Sequence, residues 1–138
     1  MKYLFDTDAI SEYRKKARMN PAFRAWVSGI DEGDVALSAL ALGEIRHGIE
    51  SVRLRDPVTA VSLDLWLTRL EATFGSRILP VDERVADLCG RILAPSPLSP
   101  VDGLVVATAL VHGLTLVTRN VADVERTGVA LINPFNPQ

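Results

Sequence analysis

Residues 4–12, LFDTDAISE, set an apolar run directly before two aspartates, Asp6 and Asp8, one residue apart. KYLF reads as a short buried strand and DTDAIS as the turn that starts a helix. Three readings of the carboxylate pair stay open at this point. The pair can hold a divalent metal, Asp6 can accept a phosphoryl group with Asp8 as its acid, or both can simply punctuate the turn.

Working outward, NPAFRAWVSGI predicts a helix with Pro21 near its start and Gly29 to Gly33 as its exit. VALS reads as a second strand, and a helical pattern runs from Ala39 through LGEIRHGIESVRL. Pro57 breaks that pattern before a long helix through LDLWLTRLEATFG. RILPV is a third strand, DERVADLCGRILA a further helix, and PSPLSP, from Pro95 to Pro100, the main loop. A helix from about Val101 to His112, the strand LTLVT, a turn or short helix at RNVADVERTG and a last strand at VALIN complete the pattern. Strands alternating with helices imply an α/β fold whose central parallel sheet is covered on both faces.

With 138 residues, 48% of them apolar, the chain has the size of one domain with a sizeable core, expected to span residues 1–138. Its single cysteine, Cys89, lies in a helical pattern and provides neither an internal disulfide nor a cysteine metal cluster. Apolar runs such as GLVVATALVHGL fall short of a membrane span, and Asp6 and Asp8 interrupt the only candidate leader segment. A soluble, cytoplasmic protein is expected. The formal charge of −2 argues against a nonspecific nucleic-acid coat, but leaves room for a local patch. Arg14, Lys15, Lys16 and Arg18 form the dense basic cluster, close in sequence to the opening carboxylates.

In a parallel sheet, functional groups gather where strands end and helices begin. Four acids fall there: Asp6 after the first strand, Glu44 early in the helix after the second, Asp102 opening the helix after the proline loop, and Asp123 after LTLVT. Each has a plain structural explanation as well. Asp102 suits a helix N-terminus, and Asn120 and Asp123 have the spacing of a capping pair. Gly48, one helical turn beyond Glu44, leaves space for a ligand or for a closely packed helix. Clustered carboxylates repel one another unless a cation compensates, and magnesium or manganese suits such hard oxygen donors. Thr118 and Asn120 are placed to orient a metal ligand or its water. His47 and His112 offer no zinc pattern.

An apolar strand followed by Asp-x-Asp also resembles the nucleophile and acid of haloacid-dehalogenase-type phosphatases. Those enzymes ordinarily use a late lysine, whereas the lysines here are Lys2, Lys15 and Lys16. The combination of LFDTDAISE, ALGEIRHGIE, VDGLVVATALVHGLTLVTRNVADVE and terminal ALINPF resembles instead the PIN-domain ribonucleases, especially VapC-type toxins and their FitB-like relatives. The resemblance implies a three-layer α/β/α sandwich, a homodimer, and magnesium- or manganese-dependent endoribonuclease activity on transfer or ribosomal RNA. It further implies a VapB-like antitoxin as inhibitor. By the same resemblance Asp6, Glu44, Asp102 and Asp123 are the metal-site acids, and Thr118 and Asn120 their polar support. Asp8 stands where asparagine is usual in the family, which makes it a candidate tuner of metal affinity. Arg14, Lys15, Lys16, Arg18 and Arg46 are candidate RNA contacts, although Arg46 can equally pair with Glu50. Trp26 and Trp66 read as core, dimer-interface or antitoxin-surface residues. A phosphatase and a noncatalytic PIN-like interaction module remain the alternatives.

Overall fold

A computed structural model describes residues 1–137; Gln138, the end of the expected domain, lies outside the described residues. Five strands form one parallel sheet: β1 (Tyr3–Phe5), β2 (Val35–Ser38), β3 (Ile78–Leu79), β4 (Thr115–Val117) and β5 (Leu131–Ile132). Their order is β3-β2-β1-β4-β5, with Phe5 opposite Leu37 on one side and Val117 on the other. The helices are α1 (Thr7–Tyr13), α2 (Pro21–Val27), α3 (Ala39–Arg53), α4 (Pro57–Phe74), α5 (Glu83–Leu93), α6 (Pro100–His112) and α7 (Val121–Val124).

Strand side chains alternate between two cores, as a sheet buried on both faces requires. Phe5, Leu37 and Val117 join Ile10, Phe23, Ile45 and Leu67 from α1 to α4 on one face. Leu4, Ala36 and Leu116 join Val106, Ala109 and Val124 from α6 and α7 on the other. The result is the three-layer α/β/α sandwich with a central parallel sheet.

The chain winds outward from β1 through β2 to β3, then returns to β4 on the opposite side of β1. This reversal makes the C-terminal ends of β1 and β4 a topological switch point, where adjacent crossovers part and leave a crevice. Asp6 follows β1 and Thr118 follows β4 at that crevice. The strands themselves are shorter than their apolar patterns: of RILPV only Ile78–Leu79 pair, and of VALIN only Leu131–Ile132. Pro80 cannot donate to a ladder, which accounts for the early end of β3.

Candidate active site

Asp6 is the N-cap of α1. Its Oδ1 accepts the Ala9 N–H at 2.8 Å, while its own N–H donates to the Val117 carbonyl at 3.2 Å. One side chain therefore starts the helix and stands at the β1–β4 crevice. Ser38 caps α3, which carries Glu44 one turn onward toward α1; there Glu44 Oε1 accepts the Thr7 hydroxyl at 2.6 Å. Ser99 caps α6 by accepting the Asp102 N–H at 3.2 Å, so Asp102 lies in the first turn of a helix packed on the sheet.

These elements enclose a cavity of about 190 Å³ whose walls include Asp6, Asp8, Glu44, Asp102, Thr118 and Asn120. Burial pushes the Asp6 carboxyl above its ordinary value. A hydrogen bond from Thr118 and the Ala9 N–H oppose that rise, while the negative charges of Asp8 and Asp102 add to it. Thr118, which is buried, also accepts the Asn120 N–H at 3.0 Å through its Oγ1. The cavity walls contain no lysine or arginine among the described residues, so nothing there would neutralise a phosphoryl group on Asp6.

The sequence expectations divide on this geometry. Asp6, Glu44, Asp102, Thr118 and Asn120 meet in one cavity, and Asp8 joins them. Asp123 is exposed on α7 and does not line the cavity. Asn120 and Asp123 do not form a capping pair either: Asn120 is the N-cap of α7, yet it makes no side-chain capping bond. A β-carbon at Gly48 would meet nothing beyond its neighbours and its own helix backbone within 4 Å, so close helix packing does not explain that glycine.

Among the described residues, no three histidine, cysteine or carboxylate side chains form a group able to hold a metal on their own. The donor chemistry nevertheless fits a hard divalent cation. It is all oxygen, and two mutually repelling carboxylates, Asp6 and Asp102, share one wall. Magnesium needs no closed protein cage, because it keeps several waters and takes one or two carboxylates together with substrate phosphate.

The basic cluster separates from the acids. Arg14 lies with its guanidinium 5.4 Å from the centre of the Trp66 ring, and Lys15 pairs with Glu12 at 3.1 Å. Arg14 and Lys16 border a groove of about 550 Å³ between α1, α2 and α4, joined by Arg24 and Arg69. Ile10, Trp66, Leu70 and Phe74 give it an apolar floor. Arg18 is exposed and lines neither this groove nor the acidic cavity. Arg46 is engaged elsewhere: it bonds Glu50 at 3.1 Å and Asp64 at 2.7 Å, in an ion network that ties α3 to α4. Trp26 packs on Tyr3 and Phe5. The groove was not visible in the sequence, since Arg24 and Arg69 are distant from the basic cluster and only the fold brings them to it.

A family model described as PIN domain matches residues 3–128. The chain is 31% identical to Toxin FitB of Neisseria gonorrhoeae over 142 residues, covering 96% of this chain and 98% of that protein. It is 30% identical to VapC ribonuclease Y4jK of Sinorhizobium fredii over 139 residues, covering 97% and 98% respectively. The crystal structure of FitAcB from Neisseria gonorrhoeae superposes with a TM-score of 0.85 at 31% identity, covering 97% of this chain and 99% of that one.

Proposed function

The chain belongs to the PIN-domain family and to its VapC- and FitB-like toxins, and on that footing we propose that it is a magnesium- or manganese-dependent endoribonuclease restrained by a VapB-like antitoxin. The observation that carries the proposal is the meeting of Asp6, Glu44 and Asp102 around one cavity at the sheet's switch point, with Asp6 protonated more readily than an ordinary aspartate. Such an arrangement is electrostatically costly by itself and is relieved by a cation.

Asp6 and Asp102 would hold the metal, Glu44 would reach it directly or through water, and Asp8 would tune its affinity. Asp123, outside the cavity wall, would contribute through water. When bound, the metal supplies positive charge at the scissile phosphate and makes a water more acidic. Glu44, whose Oε1 accepts the Thr7 hydroxyl, would accept a hydrogen bond from an attacking water. Thr118 holds the Asp6 carboxylate through its hydroxyl, and Asn120 adds a polar side chain to the same wall.

The groove bordered by Arg14, Lys16, Arg24 and Arg69 over an apolar floor suits an acidic amphipathic segment of the antitoxin, its acids facing the basic rim and its apolar face the floor. A homodimer would form on the apolar shelf beside Glu44, where Val81 and Val101 are exposed.

The decisive experiment incubates inhibitor-free protein with RNA in the presence of magnesium, manganese or a chelator, and sequences the fragments. Metal-dependent cleavage that disappears in Asp6→Asn and Asp102→Asn, both folded, is the expected result. Identical fragments from both variants, or from chelated protein, would refute the mechanism. Trp66→Glu is expected to leave cleavage intact and to abolish inhibition by the antitoxin.

A further inference from the structure

The terminal ALINPF segment, residues 130–135, has no task in the ribonuclease reading. Its contacts converge on the cavity wall. Thr118 stands beside Asp6 on that wall, where its hydroxyl favours the ionised Asp6 carboxylate and accepts the Asn120 N–H, while its own N–H donates to the Ile132 carbonyl at 3.1 Å. One residue on, the Arg119 guanidinium lies 4.0 Å from the centre of the Phe135 ring. Phe135 is buried, 5.0 Å from the Phe23 ring, and its N–H donates to Asn133 Oδ1 at 3.0 Å.

Residues 118–120 are therefore tied to the C-terminal segment twice, by the Thr118–Ile132 backbone bond and by Arg119 lying on Phe135. A longer-range attraction comes from α1. Glu12 is buried, held by the Asn20 N–H at 2.8 Å and Lys15 at 3.1 Å, and its negative charge attracts Arg119. These restraints matter because α7 starts at Asn120 without a side-chain cap of its own. An exposed arginine with free rotamers would not settle on a ring without a compensating attraction; the cation–π contact and Glu12 provide it.

We propose that Arg119 and Phe135 form a clamp that holds Thr118 and Asn120 against Asp6, and that both are positioning residues for the reaction. The proposal rests on the ribonuclease reading above. Neither residue needs to touch RNA. Their effect passes through the Thr118 hydroxyl to the Asp6 carboxylate.

The test compares wild type, Arg119→Gln, Phe135→Leu and the double variant. Arg119 is exposed, so its substitution leaves the fold intact even where Phe135→Leu weakens it. Two readouts are taken: steady-state cleavage of an oligonucleotide chosen from a randomised RNA pool at saturating manganese, and hydrogen exchange at the Thr118 and Asn120 amides. Misplacing a reacting group by a fraction of an ångström to an ångström is expected to lower kcat roughly tenfold to a hundredfold with KM nearly unchanged. Exchange at both amides should quicken, and the double variant should be no worse than the poorer single one, since one clamp is lost. Unchanged kcat in Arg119→Gln overturns the proposal, whatever the exchange rates. So does a raised KM with a shallower salt dependence, which would make Arg119 a phosphate contact. A wild-type protein inert on every RNA would instead defeat the ribonuclease reading, and the exchange rates would then decide the clamp alone.

Discussion

Gly103 follows Asp102 in the opening turn of α6 and is buried against α5. A β-carbon there would lie 2.8 Å from Leu93 Cδ2, 3.1 Å from Leu93 Cγ and 3.1 Å from Cys89 Sγ, against an ordinary carbon contact of about 3.5–4.0 Å. The Leu93 methyl can rotate away, but its Cγ and the buried Cys89 sulfur move only with their helix. Gly103→Ala thus sets two effects against each other. Helix propensity favours alanine by about 1 kcal/mol, while overpacking a filled interface costs about 1–3 kcal/mol. The net expectation is a loss of roughly 0–2 kcal/mol, the packing penalty less the propensity gain. Because the strain is relieved most easily by lifting the first turn of α6, Asp102 should shift with it and RNA cleavage should fall further than stability. Urea denaturation of wild type and variant measures the first effect, and kcat the second. In a Leu93→Ala background the Leu93 contacts are gone and the Cys89 Sγ contact at 3.1 Å remains, so the loss caused by the same substitution should shrink. The reasoning is refuted if Gly103→Ala stabilises the otherwise unaltered protein by the propensity gain of about 1 kcal/mol.

Asp6→Asn should lower cleavage by roughly a hundredfold or more while raising the thermal midpoint at neutral pH, because asparagine caps helices as well as aspartate does. The sign of its pH dependence follows from burial holding the Asp6 carboxyl above its unfolded value: the folded form keeps this proton longer, so the destabilisation develops as pH rises through the folded pKa. The stability advantage of Asp6→Asn should accordingly grow with pH and fade in acid, as denaturation at several pH values will test. Asp8→Asn removes a like charge that raises the Asp6 pKa; a manganese titration of activity should require severalfold more metal, with folding stability undiminished, and an unchanged titration would remove Asp8 from the site. Glu12 behaves oppositely. Burial pushes its carboxyl up, but the Asn20 N–H and Lys15, with Arg119, outweigh this and hold it below the ordinary value. Its stabilisation is present above the unfolded pKa and lost as pH falls through the folded one, so the urea midpoints of wild type and Glu12→Gln should converge on acidification.

The fold was legible because its signals are redundant. Each strand is a short apolar run, every helix except the one-turn α7 has a capping side chain, and Phe5, Leu37 and Val117 alternate with Leu4, Ala36 and Leu116 between two cores. The candidate site was legible in part: Asp6 directly follows a strand and Asp102 opens a helix packed on the sheet, while Glu44, further along α3, reaches the site because α3 lies beside α1. Asp123 shows the limit of that legibility. A position three residues into a new turn is set by how the turn is held, and α7, one turn long, faces the residue outward. Arg46 shows another limit, since its tie to Asp64 depends on how α3 and α4 pack, which helical spacing does not encode. The groove was illegible for the same cause: Arg14 and Arg69 are 55 positions apart (69 less 14) and meet only because α1 lies beside α4.

Helix capping alone does not require a charge at Asp6. Capping α1 needs only a side-chain oxygen to receive the Ala9 N–H, and an uncharged asparagine would serve. The helix N-terminus, the Ala9 N–H and the Thr118 hydroxyl all favour the ionised form. Burial, Asp8 and Asp102 nevertheless leave the carboxyl above its ordinary value. A fold selected only for stability would remove a charge there, and would not surround it with further acids. A divalent cation reverses the balance, since each added carboxylate then lowers the energy of the loaded site. The charge at Asp6 is what the proposed metal centre requires and what capping α1 does not.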